Sequence, residues 1–107
     1  MRKYKMNKTK IFNLLTICRK AAKLTMGFDA SKEAVMTDKA KLVLTTADIS
    51  PKTEKEIRFF ADKKNVPVIK TDISIDEMNF GLGKKVGLIA VCDEGFSKKL
   101  SELTAEE

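Results

Sequence analysis

KLVLTTADISPKTEKEIRFFADKKNVPV, residues 41–68, decides how this chain must fold. Leu42, Val43 and Leu44 form an unbroken β-prone run, the pattern of a strand covered on both faces. Ser50 then offers an N-capping hydroxyl, and Pro51 fits the first helical position, where its missing N–H costs nothing. Glu54 and Glu56 suit the positive end of the helix, and Ile57, Phe60 and Ala61 make its buried stripe. Asn65 with Pro67 beyond it closes the helix, and Val66 to Ile69 reads as another short strand. Strand, helix and strand with short connections predict packed crossovers of a sheet.

The flanks continue the alternation. Asn7 to Leu24 places Ile11, Leu14, Leu15, Cys18, Ala21 and Ala22 on one helix face. LTMGFDASKEAV, residues 24–35, turns through Gly27 from an apolar stretch into a helix ending near Thr37-Asp38, with Asp29 as its expected N-cap. Downstream, Ser74-Ile75-Asp76-Glu77 is a capping box that starts a helix stopping at Gly83. VGLIAVCD, residues 86–93, is the last strand, and Phe96, Leu100 and Leu103 repeat along a closing helix. The expectation is one domain over 1–107, a three-layer α/β/α sandwich with a four-stranded mixed sheet and about five helices, its ends 1–6 and 104–107 fraying.

Composition limits function. With 43% hydrophobic residues the chain can bury a core, and no apolar run is long enough to span a membrane. The polar, basic start lacks the pattern of a secretory signal, so a cytoplasmic location is expected. Residues 1–50 hold 11 Lys and Arg against 4 Asp and Glu, while residues 51–107 hold 10 against 11. The positive excess is therefore N-terminal, with eight bases in the first 28 residues and no acid. Such a one-sided field suits a polyanion, nucleic acid above all, although a merely solubilising surface has the same composition.

Catalytic patterns are missing. No histidine is present, so neither a Ser-His nor a Cys-His pair can form, and Cys18 and Cys92 have no metal-ligand spacing and read as reduced, buried small hydrophobes. GLGKK, residues 81–85, falls short of a phosphate loop, because Met78 replaces the first glycine and Lys85 the hydroxyl. Gly81 and Gly83 are read instead as letting a helix pack closely and end. Asp48 and Asp93 end two strands in the manner of a phospho-acceptor module, but such a site needs an adjacent acidic pair beside the acceptor, and TTADIS, residues 45–50, offers a single carboxylate. Asp48 is expected to steady the helix start at Ser50.

Ligands of open α/β sheets bind beyond the carboxyl ends of the strands. The turns at Met26 to Ser31, Ala47 to Ser50, Asp72 to Ser74 and Asp93 to Gly95 are accordingly expected on one edge, each opening a helix whose amides suit phosphate.

The basic first helix, the Gly27 corner, KAKLVLTTADISP (39–51) and AVCDEGFSKKL (90–100) together resemble the kink-turn RNA-binding family of large-subunit ribosomal proteins. The likeness runs from about Asn7 to Leu103 and is greatest to the small bacterial, YlxQ-like members. The resemblance implies an α/β/α sandwich that docks the start of its second helix on the sheared G·A pairs and phosphates of a kink-turn. A hydrophobic loop before the fourth helix would cover the flipped-out nucleotide. It implies no metal and no organic cofactor.

Carried onto this sequence, the contact residues are Met26, Gly27, Phe28, Asp29, Ala30, Lys32 and Glu33, with Lys52 and the loop Ile73, Ser74 and Ile75. Lys20 and Lys23 are expected to add phosphate contacts. Family binders read Gly-x-Asn-Glu-x-x-Lys at the corner, and here Asp29, Ala30 and Glu33 stand for the asparagine, glutamate and lysine. The function expected is non-enzymatic, monomeric binding of structured RNA, ribosomal RNA foremost, with ribosomal proteins as further partners and no membrane. The alternatives are a protein-interaction module on the same scaffold and a binder of a small phosphorylated ligand.

Overall fold

The computed structural model describes residues 7–104; the expectations of fraying for 1–6 and 105–107 lie outside those residues. Five helices alternate with four strands in the order α1 (Lys8–Lys20), β1 (Leu24–Met26), α2 (Phe28–Met36), β2 (Leu42–Thr45), α3 (Pro51–Lys63), β3 (Val68–Lys70), α4 (Ile75–Leu82), β4 (Leu88–Val91) and α5 (Glu94–Thr104). Thr104, expected to fray, is instead the buried last residue of α5, its hydroxyl donating to the Leu100 carbonyl at 2.9 Å.

The sheet is mixed, as expected, with spatial order β1-β4-β2-β3. Its two inner strands, β2 and β4, are wholly buried and split their side chains between two cores. Leu42, Leu44, Ile89 and Val91 face α1, α4 and α5, whereas Val43, Leu88 and Ala90 face α2 and α3. That division is the period of two of an extended chain read out against two helical layers.

Several predicted helix starts and stops have a physical cause in the structure. The Ser50 hydroxyl accepts from the Thr53 N–H at 3.2 Å. Ser74 and Glu77 close a reciprocal capping box at 3.0 and 2.9 Å. Gly83 takes the left-handed conformation, φ 77°, that ends α4. A methyl group at Gly81 would stand 2.5 Å from the Phe12 ring, so glycine there lets α4 settle on α1. In α1, Ile11, Leu15 and Cys18 are buried, but the apolar stripe stops short of its expected length. Ala21 is the C-cap and Ala22 has φ 60°, and both are exposed.

Strand direction corrects one expectation. β2 is parallel to β3, while β4 is antiparallel to both β1 and β2, so β1, β2 and β3 point one way and β4 the other. The turns after β1, β2 and β3 therefore share an edge, and Asp93 to Gly95 lies at the opposite one. The cause is α4, which at two turns spans about 12 Å. Residues 83–87 lead the chain back to the edge that α4 left, and the Thr46 N–H donates to the Gly87 carbonyl there at 2.9 Å.

Candidate nucleic-acid interface

At the shared edge the backbone of Gly27 does the turning. Its φ of 96° lies where side chains are disfavoured, its N–H donates to the Leu88 carbonyl at 2.9 Å, and its carbonyl accepts from Ser31 at 3.1 Å. Gly27 itself, not Asp29, is the N-cap of α2, and no side chain caps this helix. Asp29 lies inside the first turn, exposed, its charge favourably placed at the positive end of the helix. Below the corner, the Thr25 and Ser31 hydroxyls meet at 3.1 Å and brace β1 against α2.

The contrast with the neighbouring helices is chemical. α3 and α4 open on the same edge, but Ser50 and the Ser74–Glu77 box already occupy their first amides. Only α2, among these three, presents its opening N–H groups without a side-chain acceptor. Beside it lies a hollow of about 230 Å³ lined by Phe28, Ile49, Ser50, Thr53, Ile75, Gly87 and Leu88. Gly87 makes room for Ile49, whose Cγ1 would be 3.3 Å from a methyl group at that position.

Two contacts fix the far wall of the hollow. The Ala47 N–H donates to the Ile73 carbonyl at 2.8 Å, and the Asp48 carboxylate accepts from the Ile75 N–H at 2.9 Å. Asp48 thus steadies the start of α4, not that of α3 as the sequence suggested. Asp93 accepts from the Phe96 N–H at 2.9 Å on the opposite edge, so the two strand-end aspartates share no site.

The expected contact residues divide into groups. Phe28 and Ile75 line the hollow, with Gly27 next to it through its bond to the Leu88 carbonyl, Met26 half-buried at the strand end, Asp29 exposed beside the α2 amides and Lys52 exposed in the first turn of α3. Ile73 is 1% exposed and belongs to the core, because its place beneath the α4 start puts its side chain between sheet and helices. The Ser74 hydroxyl is held by its own helix. Lys32 stands 4.4 Å over the Phe60 ring, between α2 and α3. Ala30 and Glu33 line a separate shallow hollow with Thr25, Thr37 and Lys39. Lys20 and Lys23 sit at the end of α1 and ahead of β1, at the edge of the sheet opposite Gly27.

The sequence reading missed Ile49, Thr53, Val86 and Gly87. Val86 is the side chain facing Gly27, with Cγ1 3.8 Å from a methyl group placed there. The available signal was the GKKVG run itself: it fails as a phosphate loop yet delivers Lys84, Lys85 and a glycine to this edge.

Burial and charge explain the few perturbed groups. Burial pushes the Cys18 thiol up to about 11, helped by the nearby Asp93, and burial likewise raises Cys92; both cysteines are free, Cys18 buried and Cys92 half-buried. Among the described residues no group of His, Cys, Asp and Glu is arranged to hold a metal ion, and no helix is long and apolar enough to cross a membrane.

This sandwich of five helices and a four-stranded mixed sheet is the architecture of a ribosomal-protein class. The chain belongs to the ribosomal protein L7Ae/L30e/S12e/Gadd45 family, whose model matches residues 9–101. It is 30% identical over 97 residues to the RNA-binding protein YlxQ of Enterococcus faecium, covering 91% of this chain and 93% of that one. It is 33% identical to the Bacillus subtilis YlxQ, covering 86% and 92%, and 28% identical to the large ribosomal subunit protein eL30 of Candida albicans, covering 91% and 93%. Among solved structures, a protein of unknown function from Bacillus halodurans superposes with TM-score 0.82 at 27% identity, over 89% of this chain and 96% of that one. The Giardia lamblia 15.5kD RNA binding protein shares the fold, TM-score 0.72 at 17% identity, over 91% and 83%.

Proposed function

We propose that this protein is a non-enzymatic, cytoplasmic binder of structured RNA that takes a kink-turn or similarly kinked RNA, ribosomal RNA foremost, on the edge formed by Gly27, Phe28 and Ile75. Residues 1–107 act as one RNA-binding domain, as a monomer, with ribosomal proteins as neighbours. The observation that carries the reading is that, among the described residues, α2 alone leaves its first amides without a side-chain cap, directly beside an apolar hollow. Amides and the helix dipole suit a phosphate, and Phe28, Ile49 and Ile75 suit the face of an unstacked base. The kinship with the YlxQ proteins and eL30 supports the same partner.

The test is a titration of a kink-turn RNA and a fully paired RNA of the same length against the native protein and Ile75→Glu. The reading requires tighter binding of the kink-turn, and a loss of tenfold or more in the folded variant. Equal affinity for both RNAs, unchanged by the substitution, would overturn it.

A second reading, docking of a protein partner, has its own observation. Phe80 is 95% exposed beside a cleft of about 640 Å³ between α1 and α4, larger than the hollow at the Gly27 edge. That cleft lacks the open amides on which the RNA reading stands. A protein retained on the immobilised chain after RNA digestion, and lost with Phe80→Ser, would favour it.

A further inference from the structure

Lys20 and Lys23 are misplaced for the Gly27 edge, but they have company where they are. The Cys92 N–H donates to the Lys23 carbonyl at 2.8 Å, and the Lys41 N–H donates to the Val91 carbonyl at 2.7 Å. Lys23, at the entrance to β1, and Lys41, at the entrance to β2, therefore flank the exit of β4 on both sides. Two strand spacings put their backbones about 10 Å apart. Lys39 precedes Lys41 in a turn held by the Ala34 carbonyl, which accepts from both Lys39 and Ala40 at 2.9 Å. The fields of Lys39, Lys23 and Lys41 all reach the Cys92 thiol between them.

These side chains have their charges to spare. Lys20, Lys23, Lys39, Lys41 and Lys98 are exposed, and none pairs with a carboxylate among the described residues. Two nearby acids are engaged, since Asp38 pairs with Lys64 at 3.3 Å and Asp93 caps the start of α5, while Glu33 is exposed in the hollow that Lys39 also lines. Glu94 is left exposed in the first turn of that helix. A cleft of about 420 Å³ opens on the same edge, lined by Lys41, Lys64, Lys98 and Ser97 together with the carboxylates of Asp38 and Glu94. Ser97 is 8% exposed, and its hydroxyl has no partner among the described residues.

We infer that this second edge is a separate phosphate-binding surface, on which Lys23, Lys39 and Lys41 grip the backbone of another RNA segment while the Gly27 edge holds the kinked one. The inference takes the identity of the polyanion from the RNA-binding reading, but its site and residues are independent of the corner. Bound from both ends of its sheet, the protein clamps two RNA segments about one small domain. Contacts there are to phosphate alone, so they are strongly salt-dependent and blind to sequence.

The experiment uses a fluorescent, fully paired RNA duplex, titrated with protein already saturated with unlabelled kink-turn RNA. The duplex should still bind. The double substitution Lys39→Glu, Lys41→Glu should weaken it at least tenfold and leave kink-turn affinity within about twofold. With the neutral pair Lys39→Gln, Lys41→Gln, the slope of log affinity against log salt should shrink by about one per lysine removed. Circular dichroism checks that both variants stay folded. Displacement of the duplex by kink-turn RNA, or equal losses for the two RNAs, would overturn the inference. Should the kink-turn fail to bind at all, the corner reading falls; duplex binding that is lost on charge reversal still upholds the second edge, and duplex binding that survives it removes that edge too.

Discussion

The Asp48 carboxylate, in the loop leaving β2, accepts a hydrogen bond from the backbone N–H of Ile75, the first residue of α4, at 2.9 Å. A side chain 27 residues upstream thus sets the distance between Ile49 and Ile75, two walls of the hollow at the Gly27 edge. Site and fold meet in that one bond.

Asp48→Ala removes the acceptor and frees the α4 start. Stability should fall by about 1 kcal/mol, the usual worth of one such bond. RNA affinity should fall further than that loss explains, because Ile75 is no longer held against the hollow. Asp48→Asn keeps an oxygen acceptor and should recover most of both, as urea denaturation and RNA titration would reveal.

Gly27→Ala separates turning from binding. Within the protein a methyl group meets only Val86, at an ordinary 3.8 Å, so its cost is the backbone strain of φ 96°, about 1 kcal/mol. If RNA backbone lies against Gly27, affinity measured on the folded fraction should also drop severalfold. Unaltered affinity would reduce the glycine to a turn.

If an RNA phosphate meets the start of α2, the Asp29 charge opposes it there and the Glu33 charge opposes it from farther along the helix. Asp29→Asn should raise kink-turn affinity, and Glu33→Lys should raise it further from the neighbouring hollow. Since Asp29 is not the N-cap, the stability cost of Asp29→Asn is limited to a lost dipole interaction of about 0.5 kcal/mol. Paired titrations and melting curves would check both halves.

Acid should unfold the protein partly through Glu54 and Glu77. Partial burial pushes Glu54 up, but hydrogen bonds from Lys70 and Arg58 outweigh it and hold the carboxyl below its ordinary 4.5. The Ser74 N–H, and then Lys8, hold Glu77 below the same value. Both folded values are depressed, so their stabilisation is complete above the unfolded value near 4.5 and is lost as pH falls through the lower folded ones. Between about pH 5 and 3 the melting temperature should fall less steeply in Glu54→Gln and Glu77→Gln than in the native chain. Parallel curves would show that these ion pairs are too well solvated to matter.

Local chemistry alone determined much of this protein. Ser50-Pro51, the Ser74–Glu77 box and Gly83 act within a few residues of themselves, so the helices they bound were legible in sequence order. The β-prone run at 42–44 and the apolar strand at 88–91 revealed the buried middle of the sheet by composition, and the Gly27 turn by the one residue that tolerates it. The direction of β4 was decided elsewhere, by two-turn α4 and the returning 83–87 segment, and with it which turns share an edge. Only tertiary structure could bury Ile73, send Asp48 to Ile75, bring Ile49 and Gly87 to the hollow, and move Lys23 to the far edge beside Lys41. Each depends on how strands are ordered and oriented, and hydrogen bonding between strands is indifferent to their distance along the chain.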